Sequence, residues 1–178
     1  MANDLTSNRR LWVLDSCGVL STTPVWIDKI IYIPSAASDD VTFKEWNPNS
    51  TVSAGTKYLK TGTITGDDTL TSAGNLPSSI ADGYIFEITA GSGASANVST
   101  SLVKTAGTDD AVVIHDNDWT NEASKIYSWT TYATTTALIY KAGASDASPI
   151  RDIFDPPRWF ENLALDVIDG GTLYVYLR

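Results

Sequence analysis

The sequence predicts an all-β protein, an antiparallel β-sandwich or jelly-roll-like barrel carrying a β-rich insertion or arm. Three observations predict it. Apolar residues recur with period two in segment after segment, and with helical period almost nowhere. Of the 178 residues, 22 are Thr and 18 are Ser, alongside 6 Trp and 8 Tyr, a mixture suited to pleated, half-buried surfaces. Twelve glycines and seven prolines punctuate the apolar runs at turn-like positions. A composition 43% hydrophobic and only 19% charged excludes a disordered chain, and the length suits one domain spanning 1–178.

Taken in order, the chain opens on a polar leader and a short strand, 11–14. Residues 21–24 link it to the next, with Thr23 pushed towards an extended conformation by Pro24. In the strand 25–33, strict alternation places Val25, Ile27, Ile31 and Ile33 on one face and Trp26, Ile30 and Tyr32 on the other. Both faces are apolar, so the strand is expected to be central or covered by a neighbouring subunit. Pro34 and a loop over 35–40 end it, 41–46 returns with Val41 and Phe43 on one side, and 25–46 reads as a hairpin.

Residues 47–147 change texture, becoming rich in Thr, Ser, Gly and Ala, and read as an inserted β extension within the domain. Strands are expected at 84–89, 99–104, 111–115, 125–132 and 134–141, with soft connections at 91–96 and 143–148. Residues 76–82 could hold one helical turn. The end of the chain carries the clearest pattern: Leu163, Leu165 and Val167 alternate, Asp169-Gly170-Gly171 supplies turn chemistry, and Leu173, Val175 and Leu177 alternate again. A second hairpin, 163–177, is expected to share a core with the first.

Twelve cationic against 21 acidic side chains give a net charge of −9, which argues against a sizeable nucleic-acid interface. Lone Cys17 cannot form an internal disulfide, and the leader lacks an uninterrupted apolar stretch, so synthesis and assembly in a cytoplasm are expected. With one His and one Cys, neither a nucleophilic triad nor a zinc site has its residues, and no phosphate-binding loop occurs. His115 reads as a strand-end residue and Cys17 as a turn or core residue. The acidic pairs Asp39-Asp40, Asp67-Asp68 and Asp109-Asp110 sit among turn formers. The string opened by Asp116 and Asp118 begins like a calcium loop, but Asn121 stands where that loop needs glycine. No catalysis, cofactor or metal is expected.

The segments Arg10-Leu11-Trp12-Val13-Leu14-Asp15, Thr22-Thr23-Pro24-Val25-Trp26-Ile27 with Ile30-Ile31, and Leu165-Asp166-Val167-Ile168-Asp169-Gly170-Gly171-Thr172-Leu173-Tyr174-Val175-Tyr176-Leu177 resemble small virion structural proteins of tailed bacteriophages. The resemblance spans about 9–46 and 159–177. It implies a non-enzymatic capsid decoration or cement protein that binds the phage head as a homo-oligomer, a trimer from the local threefold positions of capsid lattices, with the major capsid protein or another virion protein as partner. The alternatives are a tail, connector or receptor-binding fibre component and a carbohydrate-binding module; a membrane partner is not expected. Trp12, Trp26 and Trp129, inside strands, are expected mostly in the core. Trp46, Trp119 and Trp159, at strand ends or loops, are interface candidates, as are Trp26 and Tyr32 on the doubly apolar strand.

Overall fold

The computed structural model describes residues 4–8, 10–51, 58–76, 79–91, 97–107, 110–115, 119–141 and 148–178. They form fourteen strands: β1 Asp4–Asn8, β2 Leu11–Leu14, β3 Gly18–Ser21, β4 Val25–Ile33, β5 Asp40–Thr51, β6 Tyr58–Thr65, β7 Thr69–Thr71, β8 Ile85–Gly91, β9 Ser99–Ala106, β10 Ala111–Ile114, β11 Glu122–Lys141, β12 Ile150–Phe160, β13 Leu163–Ile168 and β14 Thr172–Leu177. The protein is all-β. It divides into two compact units, the first made of Met1–Glu45 with Thr135–Arg178 and the second of Trp46–Thr134. The chain leaves the first unit within β5 and returns to it within β11.

In the first unit one sheet runs β1-β2-β14-β4-β12 and the other begins β3-β13-β5-β11. Strands β2 to β5 alternate between the sheets, β5 and β11 both lie in the second, and β12 to β14 alternate again. Setting aside the edge strand β1, this is the strand order of a jelly roll, two four-stranded antiparallel sheets face to face. One apolar cluster joins them: Leu14, Ile27, Ile30, Tyr32, Phe160, Leu173 and Val175 from the first sheet meet Leu20, Val41, Phe43, Leu163 and Leu165 from the second.

Two sequence expectations are corrected here. Neither 25–46 nor 163–177 is a hairpin, because β4 pairs with β14 and β12 while β5 pairs with β13, and β14 pairs with β2 and β4. Each connection is an arch from one sheet to the other. Alternation shows that a strand has one apolar face, and both a hairpin and an arch satisfy it. The arches are laced together: the Tyr32 hydroxyl donates to the Gly170 carbonyl at 2.6 Å, and the Asp169 amide donates to Asp40 O at 3.1 Å.

The face assignment of β4 also changes. Ile27, Ile30 and Tyr32 are buried together, while Trp26 and Ile33 point outward. Leu177 faces Ile27 and Tyr176 faces Lys29, so Asp28 is an extra residue, a β-bulge that reverses the parity of everything after it. Opposite it, β12 spends four residues, Phe154, Asp155, Pro156 and Pro157, between Ile153 facing Lys29 and Arg158 facing Ile27.

The second unit is a closed barrel. Its antiparallel pairs run β11–β6, β6–β7, β7–β10, β10–β9, β9–β8 and back through β8–β11. Strands β7 to β10 form a Greek key, the meander β8-β9-β10 returning to lie beside β7. Closure leaves the six strands no free edge. Every strand contributes to the interior: Ile64, Leu70, Phe86, Ile88, Val103, Val112, Ile114, Tyr127 and Trp129, with Leu76, Ile80 and Trp119 added from the connections. The segments expected as separate strands, 125–132 and 134–141, are one continuous β11. Of the stretch expected to hold a helical turn, Leu76 and 79–82 are described and form bends, turns and coil.

Candidate docking surface and the adjoining cleft

The five interface candidates part company in the structure. Trp26 and Trp159 are 50% and 47% exposed, and they are direct cross-strand partners on β4 and β12. Their neighbours Ile27 and Phe160 point into the core, so the two indoles stand side by side on the outer face of the five-stranded sheet. Strand-interior placement therefore misled for Trp26, which is on the surface rather than in the core, while Trp12 and Trp129 are buried as expected.

Tyr32, Trp46 and Trp119 are corrected: all three are buried and cannot anchor a partner as they stand. Tyr32 lies beyond the Asp28 bulge, which turns it inward. Its burial, followed by the nearby carboxylates of Asp39, Asp169 and Asp40, pushes its phenol up to about 12. Trp119 follows β10 and folds back into the barrel, where its Nε1–H donates to Ser99 Oγ at 2.8 Å and its ring meets Phe86 edge-on at 6.1 Å. An indole in a polar loop is easily read as exposed. Here it belongs to the buried cluster of the barrel.

Two further apolar side chains extend the outer face. Ile153 is 59% exposed on β12 and Ile33 is 42% exposed at the end of β4. Beside them the β12 excursion forms one wall of a cleft of about 650 Å³, whose lining includes Asp28, Lys29, Arg151, Asp155, Tyr176 and Arg178. Lys29 Nζ sits 3.8 Å from the Tyr176 ring centroid, a cation–π contact between two lining residues. The Arg178 amide donates to Trp26 O at 3.2 Å, holding the end of β14 next to the tryptophan strand. Sequence reading missed this cleft. Its available signal was Asp155-Pro156-Pro157, which cannot continue a regular ladder, opposite the Asp28-Lys29 interruption.

The other polar candidates occupy turns. Asp39 Oδ2 accepts from the amides of Ser35 and Ala36 and from the Ser35 hydroxyl at 2.8 to 2.9 Å. The Ala36 amide first, then the Ser35 hydroxyl, holds its carboxyl below the usual aspartate range. Asp110 Oδ1 accepts from the Gly74 amide at 2.9 Å, and Asp67 adopts a φ of 63°. Cys17 is half-buried and in no disulfide, and the His115 amide donates to Leu102 O at 3.0 Å just past β10. Asp116 and Asp118 lie outside the described residues. Among the described residues, no group of three or more His, Cys, Asp or Glu is placed to hold a metal ion. No family model, curated protein or solved structure matches the chain.

Proposed function

We propose that the chain is a non-enzymatic virion structural protein of the decoration or cement type, assembled as a homo-oligomer on a phage head. The observation that carries this reading is the opposed Trp26–Trp159 pair, two half-exposed indoles on the outer sheet face, with Ile153 and Ile33 exposed farther along the same two strands. Paired exposed aromatics on a rigid element are anchors for a macromolecular contact. The residues behind the phage resemblance support it too: they build β2, β4, β13 and β14 of the jelly-roll unit, while the departing middle builds the separate barrel. Jelly rolls recur in viral capsid and lectin domains, so the fold is compatible with the reading and the site must decide it.

The test is co-sedimentation of the purified chain with heads, prepared without it, from a phage that encodes it. The wild-type chain is expected to pellet with the heads. Trp26→Ala or Trp159→Ala should each weaken retention by about 30-fold, the effect of losing roughly 2 kcal/mol at a contact anchor. A chain that stays in the supernatant and remains monomeric at micromolar concentration overturns the proposal in favour of the tail or carbohydrate-binding readings.

A further inference from the structure

The geometry points to a second, separate binding site: the cleft between the β12 excursion, β4 and β14 takes a neutral, hydroxyl-rich saccharide. Its walls place donors and acceptors around one space, with Arg151 and Lys29 against Asp28 and Asp155. These opposed charges do not neutralise one another, for among the described residues no ion pair within 4.0 Å joins any of the four. All four line the cleft, Lys29 with its ammonium over the Tyr176 ring. A saccharide uses both kinds, its hydroxyls donating to carboxylates and accepting from the guanidinium and ammonium groups. Ile153 and Phe154 supply the apolar wall that sugar C–H faces require.

Other ligand classes fit less well. Lys29, Arg151 and Arg178 outnumber the two lining carboxylates, but an acidic peptide or a nucleic acid would still bring its charge against Asp28 and Asp155, in a chain whose net charge is already −9. A peptide adding as a strand needs a regular edge, and β12, the outermost strand of its sheet, is broken there by Pro156 and Pro157, which have no amide hydrogen to offer. The Trp26–Trp159 pair does not line the cleft, although Ile153 borders both surfaces, so the site is tested on the chain free of particles.

The experiment is a nuclear magnetic resonance titration of the full chain with maltotriose, cellotriose and chitotriose, and with a hexaglutamate peptide as the anionic comparison. One of the trisaccharides is expected to give saturable shifts confined to residues 28–29, 151–157 and 176–178, with a Kd on the order of 1 mM or tighter. Arg151→Ala and Asp155→Ala should each weaken it about tenfold or more while leaving the melting temperature unchanged, since both side chains are exposed. Trp159→Asp should leave the titration intact even where it abolishes retention on heads, so the two readings fail separately. Absence of shifts with all three sugars, shifts that survive both cleft variants, or tighter binding of hexaglutamate overturns the proposal.

Discussion

Single residues here are decided by whether a polar atom finds a partner once it is buried. Tyr32, Tyr127 and Tyr132 each have their phenol pushed up to about 12, burial being the first cause in all three; Tyr127 and Tyr132 also donate to Glu122 and Glu87 at 2.8 and 2.7 Å. The folded state thus keeps protons that the unfolded chain releases near pH 10, the ordinary tyrosine value. Stability from these groups is complete below about pH 10 and is lost as pH rises towards about 12. Urea midpoints measured against pH should fall across that window, with phenolate absorbance rising together with unfolding. Tyr32→Phe should remove part of that alkaline slope and cost about 1 kcal/mol at neutral pH through the lost bond to Gly170. Thr131 is the opposite case: its Oγ1 is buried with no hydrogen-bond partner among the described residues, so Thr131→Val should leave the urea midpoint unchanged or raise it, by about 1 kcal/mol at most. None of these environments was legible in the sequence. Tyr32 and Trp119 sit in patterns that suit surface and core equally; a bulge turns the first inward, and the second packs in the barrel cluster with its indole N–H on Ser99.

At the scale of elements, the sequence reveals which segments are strands far better than which strands touch. Period-two alternation located β2, β4, β8, β9, β10, β13 and β14, because it reports one buried face per strand. Neighbours are set elsewhere, in connections such as Asp169-Gly170-Gly171. A two-glycine turn suits a tight hairpin, yet here it lets the chain pass close over the end of β4. Gly171 has a φ of +82°, and a Cβ there would collide with the Ile33 carbonyl oxygen; a Cβ on Gly170 would collide with the Ser35 hydroxyl. Gly171→Ala should therefore cost about 3 kcal/mol, the sum of a strained φ and a backbone clash, read as a drop in the urea midpoint with an unchanged slope. Gly74→Ala is the control, since its φ is also positive at +65° while nothing lies within 4 Å of the added carbon; its cost should be the conformational part alone, about 1 kcal/mol. The cleft was missed for the same reason: Asp28-Lys29 and Asp155-Pro156-Pro157 each interrupt an apolar run, and only the register that sets them opposite one another turns two interruptions into a site.

For the whole molecule, the sequence argument for an oligomer was that 25–33 is apolar on both faces, and the Asp28 bulge alters its form without removing the surplus. Trp26, Ile33, Ile153 and Trp159, on adjacent strands β4 and β12, are four of the six large hydrophobic residues exposed among the described residues. Apolar side chains gathered on one face mark a contact, whereas scattered ones need no explanation. A contact there would be a packing of faces, since Pro156 and Pro157 blunt β12 against pairing edge to edge. A closed ring of copies would cover such a face repeatedly, and the trimer implied by the phage resemblance is the expected ring. Light scattering of the wild-type chain at micromolar concentration should accordingly give three times the monomer mass. Trp26→Asp should give the monomer, because one carboxylate per copy would have to be stripped of water inside each contact, at a cost of several kcal/mol. The half-exposed position lets this variant keep its fold, so its melting temperature and circular dichroism distinguish dissociation from unfolding. If the wild-type chain is a monomer that nonetheless pellets with heads and loses that ability in Trp26→Asp, the same face contacts the head directly and the ring is wrong. If Trp26→Asp remains a trimer, the copies meet elsewhere and the tryptophan pair is free for the head.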